Sequence, residues 1–268
     1  MRAALYLGTL LVFLAGVQLF VLTRSTEHVF AWTVAAANSA AFLGAFYWTS
    51  VPLAFLSARQ RTWDRARVGV PGVLIFLWMT LATTLIHLGK FHFHSPHFLA
   101  RAAAWTWLLI YAIDPVLLTA ALIRQTRAPG VDAPRSAALN ARFRGAVALN
   151  AVVVIGAGIA LFAVPTWAAT WWPWTLTALT ARAMASWLLG MGVVLVTAVI
   201  ENDWRRIRSA IIAYALLGLL ELVALARFRG DIDWNRPAAW LFVAFFAGTL
   251  IIGADGWREA NRARLAPP

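Results

Sequence analysis

Four of the five histidines in this chain lie between positions 87 and 97: His87, His92, His94 and His97. In an extended segment His92 and His94 point to one side, because strand side chains alternate with a period of two. His97 can fold back after the turn at Pro96. Three imidazoles with an open fourth position are a donor set for Zn²⁺ or Cu²⁺. Metal-bound imidazoles usually hand their other ring N–H to a carboxylate, and no Asp or Glu lies in this stretch. Ring packing at a membrane interface is therefore the competing reading. His87 inside one apolar run and His28 just before another are the only imidazoles placed to ligate haem between helices. The cofactor expectation is none, then Zn²⁺ or Cu²⁺, with haem last.

Three further groups are ionisable yet sit inside apolar runs, where an uncompensated charge costs about 3 kcal/mol or more. Glu221 and Arg182 fall toward the same end of consecutive antiparallel runs, so an ion pair between them is expected, either structural or lining a substrate or ion site. Asp114 precedes Pro115, and a proline that kinks a helix frees a carbonyl one turn earlier, which suits a cavity wall or a cation site. No phosphate-binding glycine loop, His-Glu-x-x-His pattern or nucleophile elbow is present. With no Cys in the chain, thiol catalysis, disulfides and Cys-ligated clusters are excluded.

These residues are carried by apolar runs of membrane-crossing length. Of 268 residues, 62% are hydrophobic and 13% charged, against about a quarter charged in soluble domains. A span needs roughly 20 apolar residues to cross the hydrocarbon, and eight runs qualify, at about 3–23, 30–57, 68–89, 102–123, 145–164, 176–200, 209–226 and 238–256. The first begins too early and runs too long for a cleaved secretory signal. The sequence thus predicts an all-α integral membrane protein of eight transmembrane helices.

The net charge of +12 follows from topology and does not call for nucleic acid. With the N-terminus inside, 16 of the 23 Lys and Arg fall on the cytoplasmic side, which fits the positive-inside rule with both termini cytoplasmic. The opposite side collects His and Trp, whose rings suit the headgroup level. A bacterial plasma membrane is the expected location, with anionic lipid heads against the basic loops.

Two of those basic loops look alike. Arg59-Gln60-Arg61-Thr62-Trp63-Asp64-Arg65-Ala66-Arg67 and Glu201-Asn202-Asp203-Trp204-Arg205-Arg206-Ile207-Arg208 are short turns around one Trp. Around them Trp32-Thr33 matches Trp174-Thr175, Phe91 matches Phe228, and Ala103-Ala104-Trp105 matches Ala238-Ala239-Trp240. The chain therefore reads as two parallel four-helix repeats, 1–123 and 145–268, joined by a cytoplasmic basic linker at 124–144.

Because few buried polar groups are evident, the leading functional expectation is a non-enzymatic membrane scaffold or accessory subunit with a protein partner or a second copy. The alternatives are a small-solute or ion transporter using Arg182, Glu221 and Asp114, and a metal-binding membrane enzyme using His92, His94 and His97.

Overall fold

The computed structural model describes residues 2–60, 62–135 and 137–265. Arg61 lies outside the described residues, as do the side chains of Arg2 and Arg264. Eleven α-helices are described and no strand: α1 (Arg2–Gly16), α2 (Thr26–Val29), α3 (Ala37–Ala58), α4 (Trp63–Ala66), α5 (Val70–Ile86), α6 (Phe98–Arg127), α7 (Ala141–Ala163), α8 (Pro165–Thr170), α9 (Ala178–Glu201), α10 (Trp204–Arg227) and α11 (Pro237–Leu265). Counting α4, α5 and the 3-10 turn between them as one helix, seven are long and apolar enough to cross a membrane, and an eighth, Tyr6–Val21, is apolar but shorter. The chain is a polytopic membrane protein by this measure.

Helix starts depart from the apolar runs where a polar side chain intervenes. The second run was expected to be helical from residue 30, yet α3 begins at Ala37. Between them the Thr26 hydroxyl accepts the Val34 amide (3.0 Å) and the His92 amide donates to the Ala31 carbonyl (2.9 Å), so the backbone finds partners outside a helix. Conversely α10 starts at Trp204, earlier than its apolar run, because Asp203 caps it, its Oδ1 accepting from the amides of Arg205 and Arg206. Asn140 caps α7 in the same way through the Phe143 amide.

Helices α3, α9 and α10 form the centre, with 56%, 67% and 56% of their most apolar stretches buried, whereas α6, α7 and α11 fall to 17–28%. Within the two halves the long helices pack chiefly as α1 on α3, α5 on α6, α7 on α9 and α10 on α11. Two long seams join the halves, α3 against α10 and α5 against α9. The ring of Trp187 fills the middle, stacked on Phe76 at 3.7 Å and edge-on to Tyr47 at 4.8 Å. Glycines permit close approaches between the helices. A Cβ on Gly44 would meet the Phe20 amide nitrogen at 2.5 Å, and one on Gly218 the Leu250 nitrogen at 2.5 Å, so the segment Val17–Val21 after α1 packs backbone to backbone on α3, and α11 on α10.

Candidate functional site

The bundle has an end rich in His and Trp and an end rich in Arg. At the His–Trp end, a cavity of about 790 Å³ opens between the first half (Arg24, Glu27, Ser39) and the second (Trp174, Thr180, Asp231). Both walls are built alike: in each, a short helix, α2 or α8, gives way to an extended segment before the next long helix. Trp174 crosses between them, donating its Nε1–H to the Ser39 hydroxyl at 2.8 Å. Next to Ser39, Asn38 donates to the Phe228 carbonyl at 3.2 Å, which ties α3 to the end of α10, and its Oδ1 has no partner.

Glu221 sits on α10, six positions before Arg227, or roughly 9 Å farther in along the helix. It is 1% exposed, and its Oε1 has no hydrogen-bond partner. The expected Arg182–Glu221 pair is not formed. Arg182 instead donates to His87 Nε2 (2.9 Å) and to the Phe162 carbonyl (3.1 Å), because the last turn of α5 comes up against α9. Thr83 and Ser186 meet on this seam at 3.4 Å. Asp114 lies on neither seam: it is exposed on α6, beside the buried Pro115.

The geometry at His87 fixes its tautomer, since an imidazole nitrogen that accepts from a guanidinium must carry no proton. Burial, the Arg182 charge and the Lys90 charge hold its pKa below the ordinary histidine value. The unfolded chain therefore binds more protons than the folded one as pH falls below about 6.5, and stability drops with pH in that window. Thermal melts between pH 7.5 and 5 should show a downward drift that His87→Gln removes; the same drift in that variant would place its cause elsewhere.

The other histidines scatter. His92 is held on both ring nitrogens, by the Phe30 carbonyl (2.9 Å) and the Thr33 hydroxyl (3.0 Å). His97 packs edge-on against His28 at 4.2 Å between ring centroids, His28 faces Glu27, and His94 is exposed. No group of three or more metal-donor side chains comes together among the described residues. The segment is not extended as the sequence suggests but turns at residues 93 and 94, the Ser95 amide donating to the His92 carbonyl at 3.1 Å, while Phe30 and Thr33 hold the His92 ring.

Among the described residues the largest polar constellation lies at the Arg end, where the sequence suggests only basic turns against anionic lipid heads. Arg67 Nε meets Glu201 Oε1 at 2.6 Å and Arg67 Nη2 meets Asp132 Oδ2 at 2.7 Å. Arg206 Nη1 meets Glu201 Oε2 at 2.8 Å and Asp132 at 3.7 Å, with Asp64 at 3.8 Å from its Nε. Its Nη2 donates to the Ala133 carbonyl. The connector between α6 and α7 is thereby pinned across both basic turns, and Arg135 adds a bond to the Glu201 carbonyl at 2.7 Å. Glu201 can reach this junction because Asn202, in the left-handed region at φ 47°, ends α9 right after it. The available signal was four acids, Asp64, Asp132, Glu201 and Asp203, inside segments otherwise selected for arginine.

Comparison with protein-family models, curated proteins and solved structures finds no match to this chain.

Proposed function

We propose that this protein is a transporter of a small polar solute, built from two parallel four-helix repeats of which Tyr6–Val21 supplies the eighth span. One observation carries the reading: the cavity at the His–Trp end opens between the halves, and an unpaired, fully buried carboxyl, Glu221, lies on a helix of the α3–α10 seam that Asn38 tops. A buried acid with no partner is costly to keep in a membrane and marks function by default. The cavity offers both charge signs, hydroxyls and an indole, which suits a small solute with charged or hydroxyl groups.

The repeat is supported by the contact pattern, since exchanging the halves turns the α3–α10 seam into the α9–α5 seam. The helical stretches Trp63–Ile86 and Trp204–Arg227 have the same length, 24 residues, and each leads into a 3-10 turn with central glycine, Leu88–Lys90 and Arg229–Asp231. On that alignment Phe91 corresponds to Ile232 and not to Phe228; both follow the turn and are buried. Parallel repeats place substrate at their interface. The arginine excess supports a topology with both termini in the cytoplasm, in which the exposed Arg59, Arg65, Arg124 and Arg127 face anionic lipid heads.

Vesicles containing the purified protein, incubated in a small-molecule extract of the source cells, should retain at least one polar solute above protein-free vesicles when their contents are read by mass spectrometry. If no solute is enriched under an imposed potential or pH gradient of either sign, the transport reading fails.

A scaffold or accessory role remains as a second reading because of Asp114. An acid exposed midway along α6, a helix with 17% of its apolar stretch buried, fits a partner helix that brings a donor. Native mass spectrometry of gently extracted protein would then show a bound polypeptide or second copy that Asp114→Leu loses; a lone chain would count against it.

A further inference from the structure

We propose that the Arg67–Glu201–Arg206–Asp132–Asp64 cluster is a latch that closes the Arg end of the pathway, and that its release exposes the solute site to that side. The proposal rests on the transport reading above. Among the described residues, every ion pair that joins the two halves lies in this cluster, and the remaining pairs to the connector strap it in place. At the opposite end the halves meet through neutral acceptors, such as Trp174 on Ser39 and Arg182 on His87, around an open cavity. Between the halves, one end is held by charges of which Glu201, Arg206 and Asp64 are buried, and the other by hydrogen bonds beside a cavity; the cavity at the Arg end, lined by Asn140, Arg142 and Asp255, lies within the second half. That is the arrangement of one of two alternating states.

The chemistry suits a latch more than a rivet. The side chains of Glu201, Arg206 and Asp64 are only 5–6% exposed, whereas Arg67 and Asp132 are 25% and 42% exposed. Buried charges pair strongly only in good geometry, so parting the turns breaks Arg67–Glu201 and Arg206–Asp64 together and leaves Arg206 with Glu201 on its own turn. The half-exposed Arg67 and Asp132 can rehydrate at low cost, which gives the cluster an edge from which to open. A cluster with two discrete conditions biases an equilibrium between two shapes, as a switching element must. Arg67 is the one member from the first half that is bonded to both Glu201 and the connector, so removing its charge unties the halves at their shared point.

The chain contains no cysteine, so single reporters can be read without background. Ala198, 4% exposed one turn inside Glu201, is replaced by cysteine to report the Arg end, and Ala35, exposed in the cavity wall, to report the other. The probe is a membrane-impermeant maleimide on vesicles of both orientations, in otherwise native protein and with Arg67→Gln. The latch predicts reciprocal changes on the order of tenfold, the size of a typical coupling between two states: Ala198→Cys reacts faster and Ala35→Cys slower. Unchanged rates at both positions overturn it. So does faster labelling at Ala198 alone or at both, since that is local loosening and not alternation. Arg67→Lys, which keeps the charge but loses the two-pronged bond to Glu201, should shift less than Arg67→Gln; an equal shift means that charge pairing is not the cause. Uptake by the native protein in the same vesicles separates the two ideas: uptake without reciprocal labelling retires the latch alone, and labelling without uptake retires transport.

Discussion

Glu221→Gln is expected to lower solute uptake by ten- to a hundredfold while the protein keeps its fold. The magnitude is that of one hydrogen bond to a charged group, about 1.5–3 kcal/mol. The direction follows from what Glu221 lacks. It is 1% exposed, its Oε1 has no partner, and the nearest expected cation, Arg182, is taken up by His87 and Phe162. Glutamine has the same shape and removes only the carboxyl chemistry, so a purely structural Glu221 has nothing to lose by the change. On the proposed repeat the corresponding position is Thr80, 2% exposed with its hydroxyl oxygen also unpaired. Thr80→Val serves as the control, since it removes a buried polar atom at the matched depth without removing an acid. Uptake rate and melting temperature are measured on both variants. Native uptake by Glu221→Gln would show that the acid has no part in transport, whatever the melt does.

The helices were legible because hydropathy is local: a run of apolar residues of sufficient length reports a span wherever it falls. Their ends were less so, since Thr26 and Asp203 act through single hydrogen bonds that no average over the run can register. The arginine asymmetry and the twin Trp turns could be read directly, and the turns do meet in space. The partner that binds them was missed because Asp132 lies in the connector and Arg67 and Glu201 are 134 positions apart. Charge pairing at that range depends on how four helices pack, which the sequence states nowhere. The same limit explains Arg182. Sequence placed it at the right depth for Glu221, but depth leaves rotation about the helix axis open, and rotation turned it to α5. On the proposed repeat Phe91 is aligned with Ile232 instead of Phe228, since the glycine-centred turns, Leu88–Lys90 and Arg229–Asp231, set the register there. Asp114 was found for its type, and only the fold shows that it lies off both seams.

Among single charge deletions, Arg206→Ala should cost the most stability. Its side chain is 5% exposed and touches Glu201, Asp64 and Asp132 as well as the Ala133 carbonyl. Deleting it leaves Glu201 with Arg67, but strips the buried Asp64 of its one ion-pair partner among the described residues. An uncompensated buried charge costs about 3–5 kcal/mol, which for a chain of this size lowers the melting temperature on the order of 10 °C. Arg262→Ala is the natural comparison, because Arg262 pairs with Glu259 while 76% exposed, and exposed pairs contribute about 1 kcal/mol or less. Fifteen tryptophans, among them Trp204 packed on Phe143 beside the cluster, give an intrinsic fluorescence signal for both melts. If the two variants melt together, the cluster holds little of the fold. If Arg206→Ala alone falls and Asp64→Asn in the same chain restores part of the loss, the cost lies in the stranded acid. The Arg end would then be held by charge neutralised within the protein, not by its contact with the lipid surface.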